Sequence, residues 1–101
     1  MQLVLIICRA SLERDVLSVI EATGISAFSI VPAVLGIGQS GKALHDYPWP
    51  GSNTLVMVAL DEARARGLLD ALVAFRDSAQ ARQHGAHLPL RAFSIPCSEV
   101  I

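Results

Sequence analysis

Residues 54–60, Thr54-Leu-Val-Met-Val-Ala-Leu60, form an apolar run that ends at Asp61 and gives way to Glu62-Ala-Arg-Ala-Arg-Gly-Leu-Leu-Asp-Ala-Leu-Val-Ala-Phe75. So short an apolar run reads as a strand covered on both faces, because a helix would need greater length. Asp61 is a helix N-cap, and Ala65, Leu68, Leu69, Leu72 and Phe75 recur as the buried stripe of the helix it starts. Gly67 costs that helix about 1 kcal/mol relative to alanine, which predicts close packing against the sheet at this point. The helix fades over residues 83–89, which contain His84, Gly85 and His87, and residues 90–95 read as a last strand closed by Pro96.

The beginning of the chain has the same pattern. Residues 2–8 are a nearly unbroken apolar strand. Ser11 is the expected N-cap of a helix whose apolar residues Leu12, Val16, Val19 and Ile20 recur with helical period. Glu13 and Asp15 complement the positive end of its dipole, and Gly24 supplies the stop. Residues 25–35 read as extended, with Phe28, Ile30, Pro32 and Val34 on one face, and Pro32 places this strand at an edge or a bulge. The order is β-α-β, long loop, β-α-β. Right-handed crossovers turn it into an α+β, ferredoxin-like βαββαβ sandwich, a four-stranded antiparallel sheet with two helices on one face. Strands one and three are apolar on both sides, so the other sheet face needs a cover, and self-association is the simplest one.

The chain's 101 residues suit a single domain, 1–101. Its 52% hydrophobic and 17% charged content also points to a buried subunit interface. A net charge of −1 with scattered basic residues argues against a nucleic-acid partner. No run approaches the ~18 apolar residues of a membrane span, so no direct membrane insertion and a cytoplasmic location are expected. Cys8 and Cys97 fall at the ends of two predicted strands, where they could be neighbours in space, and are expected to be reduced thiols without a redox role.

Between the two halves lies a loop at about residues 36–53. The stretch from Val34 to Asn53 holds four of the seven glycines and the only lysine, tyrosine and tryptophan. Connections of this length in a small domain are most often functional or disordered.

The β-α-β-loop-β-α-β order, the opening Leu5-Ile-Ile-Cys-Arg9, the loop start Val34-Leu-Gly-Ile-Gly-Gln39 and the ending Phe93-Ser-Ile-Pro96 together resemble the PII-like signalling proteins, over nearly the whole chain. The resemblance implies a homotrimer whose sheets line a central channel. It also implies a long second loop that contacts a target, commonly a membrane transporter, such as a metal-efflux system, or an enzyme. An adenine nucleotide (ATP, ADP or AMP) would lie between subunits at the base of that loop, beside the connection before the last strand. A looser relative by fold is CutA, a trimer linked to divalent metals. Where PII proteins carry a glycine-rich phosphate loop with an Asp-Gly-Lys core, this chain has Arg82-Gln-His-Gly-Ala-His-Leu-Pro89.

The candidate site residues follow. Gly36, Ile37, Gly38, Gln39 and Gly41 can place backbone amides around a phosphate, with Lys42 adding a point charge; the alternative is a turn that binds nothing. Arg82, His84, Gly85, His87 and Arg91 would form the other wall of an intersubunit nucleotide cleft, or simply complement a helix C-terminus. Trp49, held between Pro48 and Pro50, with Tyr47 and His45, is the candidate partner-binding group, because a stiffly held aromatic loses little entropy on docking. Trp49 could equally fold back on its own trimer. His45 and Asp46 are a possible metal pair or solvated loop side chains. No set of nucleophile, base and orienting group stands out, so a small ferredoxin-like enzyme ranks behind a regulator and a CutA-like metal-binding trimer.

Overall fold

The computed structural model describes residues 1–35 and 52–101. Its elements are β1 (Gln2–Arg9), α1 (Glu13–Ala22), β2 (Ser29–Leu35), β3 (Ser52–Leu60), α2 (Glu62–Arg82) and β4 (Leu90–Pro96). The four strands form one sheet in the order β2-β3-β1-β4, and every neighbouring pair is antiparallel. This is the ferredoxin-like sandwich expected from the element order.

Strand alternation divides the sheet into two faces. Val4, Ile6 and Cys8 of β1 and Thr54, Val56, Val58 and Leu60 of β3 are buried, most of them in one cluster with Val16 and Ile20 of α1 and Ala65, Leu68 and Leu72 of α2. Both helices therefore cover the same face. The opposite face carries Leu3, Leu5 and Ile7, with Leu55 and Met57 beside them on β3 and Arg91, Phe93 and Ile95 beside them on β4. Phe93 and Ile95 remain exposed there, as does Val31 at the edge.

Several local expectations need correction. Ser11 is not the N-cap of α1: the chain enters through a 3-10 turn, Ala10–Leu12, in which the backbone N–H of Glu13 donates to the carbonyl of Ala10, so no side-chain cap is made. The second strand starts at Ser29, because residues 25–28 lie in the connection where Ile25 and Phe28 pack on the core instead of joining the ladder. Pro32 sits on an edge strand and at a bulge, as expected: the register slips between Val31 and Val34, and Ala33 takes a left-handed φ of 59°.

Asp61 does cap α2, accepting the backbone N–H of Arg64 at 2.9 Å. Gly67, however, does not mark close packing, because it is exposed and a Cβ built there would meet nothing within 4 Å. Gly67→Ala is therefore expected to stabilise the fold by about 1 kcal/mol, a rise in melting temperature of roughly 4–8 °C that a thermal melt would register.

Candidate functional site

The antiparallel ladder gathers three parts of the chain at one end of the sheet. β1 ends at Arg9, where β3 begins, and Arg9 pairs with Asn53. Val34 and Leu35, the last residues before the central loop, pair with Asn53 and Ser52. On the other side of β1, the backbone N–H of Arg9 donates to the carbonyl of Pro89 at 3.1 Å. A row Val34, Asn53, Arg9, Pro89 thus crosses the sheet and joins both loop stems to the connection between α2 and β4.

That connection is tightly folded on itself. His84 and Gly85 both take left-handed conformations, with φ of 59° and 81°, which reverses the chain after α2. The Gly85 N–H donates to the Gln80 carbonyl at 2.7 Å. The side-chain amide of Gln83 donates to the carbonyls of Ala86 (2.8 Å) and His87 (3.2 Å), and the Arg82 guanidinium donates to Ser78 Oγ at 2.8 Å. An open groove of about 450 Å³ runs beside β4, with Arg76 and Gln80 of α2 on one side and His87, Arg91 and Phe93 on the other. The Arg91 guanidinium lies over the Phe93 ring, 5.4 Å from its centroid, a cation–π contact.

Of the predicted site residues, Arg82 ends α2, His84, Gly85 and His87 fall within this connection, and Arg91 is at the start of β4. Gly36, Ile37, Gly38, Gln39, Gly41, Lys42, His45, Asp46, Tyr47 and Trp49 lie outside the described residues. Arg9 stands beside the 82–91 segment in the ladder, a residue that the sequence alone does not single out. Its signal was present, a cation closing an apolar strand, but only the ladder reveals that both loop stems and the 82–91 segment meet beside it.

Beneath this end of the sheet lies Cys8, directly across from Thr54. Thr54 is buried, and its hydroxyl donates to Glu13 Oε2 over a long 3.4 Å. Burial, assisted by the Glu13 charge, pushes the Cys8 thiol from an ordinary 9.0 up to about 11, so it is no nucleophile at neutral pH. The thiol is neutral in the protonated form that the fold favours. Its contribution to stability is therefore complete below pH 9 and is lost as pH rises toward 11. Cys8→Ala is expected to flatten the fall in unfolding free energy over that window, and a thiol reagent at pH 8 should label Cys97 well before Cys8. Both cysteines are free, as expected. They are not neighbours, however: Cys8 pairs with Leu90 at one end of β4 and Cys97 follows Pro96 at the other, roughly 20 Å away at the rise of a strand.

Among the described residues no three His, Cys, Asp or Glu side chains gather as a metal site, and no helix is long and apolar enough to cross a membrane.

Comparison with known proteins agrees with this architecture. A PII-like signalling protein of Thermus thermophilus superposes with a TM-score of 0.59 at 20% identity, over 93% of this chain and 83% of that one. CPII of Thiomonas intermedia K12, a nitrogen regulatory PII-like protein bound to ADP, AMP and bicarbonate, superposes at 0.60 with 14% identity, over 93% and 86% of the two chains. The apo form of CPII gives 0.58 at 13% identity, over 93% and 89%. No curated protein sequence matches. The profile described as Nitrogen regulatory protein P-II matches residues 1–101, end to end, and the chain belongs to that family.

Proposed function

We propose that this protein is a PII-like regulator that senses an adenine nucleotide at the seams of a homotrimer and passes the signal on through its central loop. The convergence of the loop stems, Arg9 and the 82–91 connection at one end of the sheet carries this reading, because a ligand held there touches the base of the loop. The adenine nucleotides bound by CPII give the ligand class. In the trimer, Gly36, Ile37, Gly38, Gln39, Gly41 and Lys42 of one subunit face Arg82, His84, Gly85, His87 and Arg91 of the next. The apolar sheet faces, with Leu3, Leu5, Ile7, Met57 and Phe93, meet at the centre.

The mechanism is a population shift. Ligand contacts that exist only when the loop base is ordered favour the ordered state by that difference in affinity. Ordering then decides whether His45, Tyr47 and Trp49 dock on a protein target, for which a membrane transporter, including a metal-efflux system, is the reading favoured here. The protein acts by binding, without catalysis, in the cytoplasm.

Calorimetry with ATP, ADP and AMP, together with hydrogen exchange over residues 36–53, tests this reading. Heat with at least one nucleotide and added protection of the loop are expected. No heat with any of the three at millimolar concentration overturns it.

A further inference from the structure

His84 and Gly85 take left-handed φ of 59° and 81° one after the other. Glycine adopts that region freely, but a histidine does so at a cost. A strained residue persists only where its surroundings over-determine it, and here those surroundings are a set of hydrogen bonds from the last turn of α2. Gln83 N–H donates to Ala79 O (3.2 Å), His84 N–H to Ala81 O (3.3 Å), Gly85 N–H to Gln80 O (2.7 Å) and Ala86 N–H to Gln83 O (3.2 Å). Gln80 Oε1 accepts the Leu88 N–H over a long 3.4 Å, and Pro89 has no N–H. Among the described residues, the connection between α2 and β4 leaves one amide, that of His87, without a protein acceptor.

The Gln83 side chain closes the turn from the other direction. Its amide donates to the carbonyls of Ala86 (2.8 Å) and His87 (3.2 Å), three and four residues ahead. One side chain therefore ties the end of the helix to the far limb of the turn, and Leu88, next in the chain, is buried in the core cluster. A glycine-rich phosphate cradle works differently, because its amides lack internal partners and the anion supplies them.

We propose that Gln83 is a positioning residue that sets the α2–β4 connection before any ligand arrives, so that a nucleotide bound beside it meets a finished wall and adds no order there. The ligand comes from the nucleotide-sensing reading above, on which this refinement rests, whereas the folded state of the free connection is independent of it. A wall set in advance takes its ordering entropy during folding, and binding loses less affinity to it. Both partners of the Gln83 amide are carbonyls, so a donor is required and length alone does not suffice.

The test is hydrogen exchange followed by NMR on the full chain, free and with AMP, ADP or ATP at millimolar concentration, alongside calorimetry. In the free wild type the Gly85 and Ala86 amides are expected to exchange about tenfold or more slower than in an unstructured peptide of the same sequence, with no further slowing when nucleotide is added. Gln83→Ala should speed them about fivefold, the scale of one net hydrogen bond; nucleotide should then slow them again and bind more weakly by a similar factor. Gln83→Glu keeps the length and loses the donor, so it should behave like Gln83→Ala, and the exposed position leaves the fold intact in both. Wild-type exchange in Gln83→Glu, free-protein exchange at the rate of the peptide, or nucleotide-added protection of Gly85 and Ala86 in the wild type overturns the role of Gln83 and leaves nucleotide sensing in place. No heat with any of the three nucleotides removes the sensing reading, and the exchange rates of the free proteins still decide whether Gln83 sets the turn.

Discussion

Leu5→Lys is expected to reduce the proposed trimer to single chains, read by light scattering as the 10.8 kDa mass of one chain in place of three times that mass. Leu5 sits at the middle of the face the helices do not cover, paired with Met57 on one side and Phe93 on the other. Around it lie Leu3, Ile7, Leu55 and Ile95, a surface too apolar and too continuous to remain in water without a partner. Burying a leucine of this kind contributes about 1.5–3 kcal/mol, and a three-fold assembly loses that contribution in every copy. An unpaired ammonium at the same place adds a desolvation cost larger than the hydrophobic loss. Ala74→Lys, on the exposed surface of α2, should leave the mass unchanged. If Leu5→Lys keeps the wild-type mass, the sheet face is not the assembly surface, and a nucleotide seam between subunits loses its basis.

The elements that were legible in the sequence are those whose physics is local. β1 and β3 announced themselves as short apolar runs, and Asp61 capped α2 because an aspartate before a helical stripe accepts an amide wherever it is placed. Pro32 marked an edge and a bulge because it lacks the N–H that a central strand needs. The errors came where a neighbouring element decided the outcome. Ser11 lost its capping role to a 3-10 turn that satisfies the backbone by itself, and Gly67 falls on the exposed side of α2, which its position between Ala65 and Leu68 did not reveal. Cys8 and Cys97 were open to being neighbours until the register placed them at opposite ends of the sheet.

For the site, the 82–91 side was legible as a cluster of basic residues, but its internal hydrogen bonding was not, because which amides stay free depends on the left-handed turn at His84 and Gly85. Arg9 needed the ladder. The loop half of the proposed cleft, Gly36 to Lys42, lies outside the described residues and rests on the sequence alone.

Leu68→Ala is the second substitution expected to have a large effect, a loss of about 2–5 kcal/mol seen as a melting temperature lower by at least roughly 8 °C. Leu68 has no exposed surface and lies among the largest fully buried side chains, in one cluster with Ile6, Ile20 and Val56. Its removal leaves a hole between α2 and the sheet that two layers already in contact cannot close. Val73→Ala on the same helix, where the side chain is 46% exposed, should cost far less. Because assembly stabilises whatever it binds, the melts must be compared at one protomer concentration. Leu68→Ala should keep the wild-type mass below its lowered melting point, whereas Leu5→Lys should lose the assembly while each chain keeps the helix-covered core intact. A Leu68→Ala variant that falls apart into folded single chains would mean that α2, and not the open sheet face, holds the subunits together.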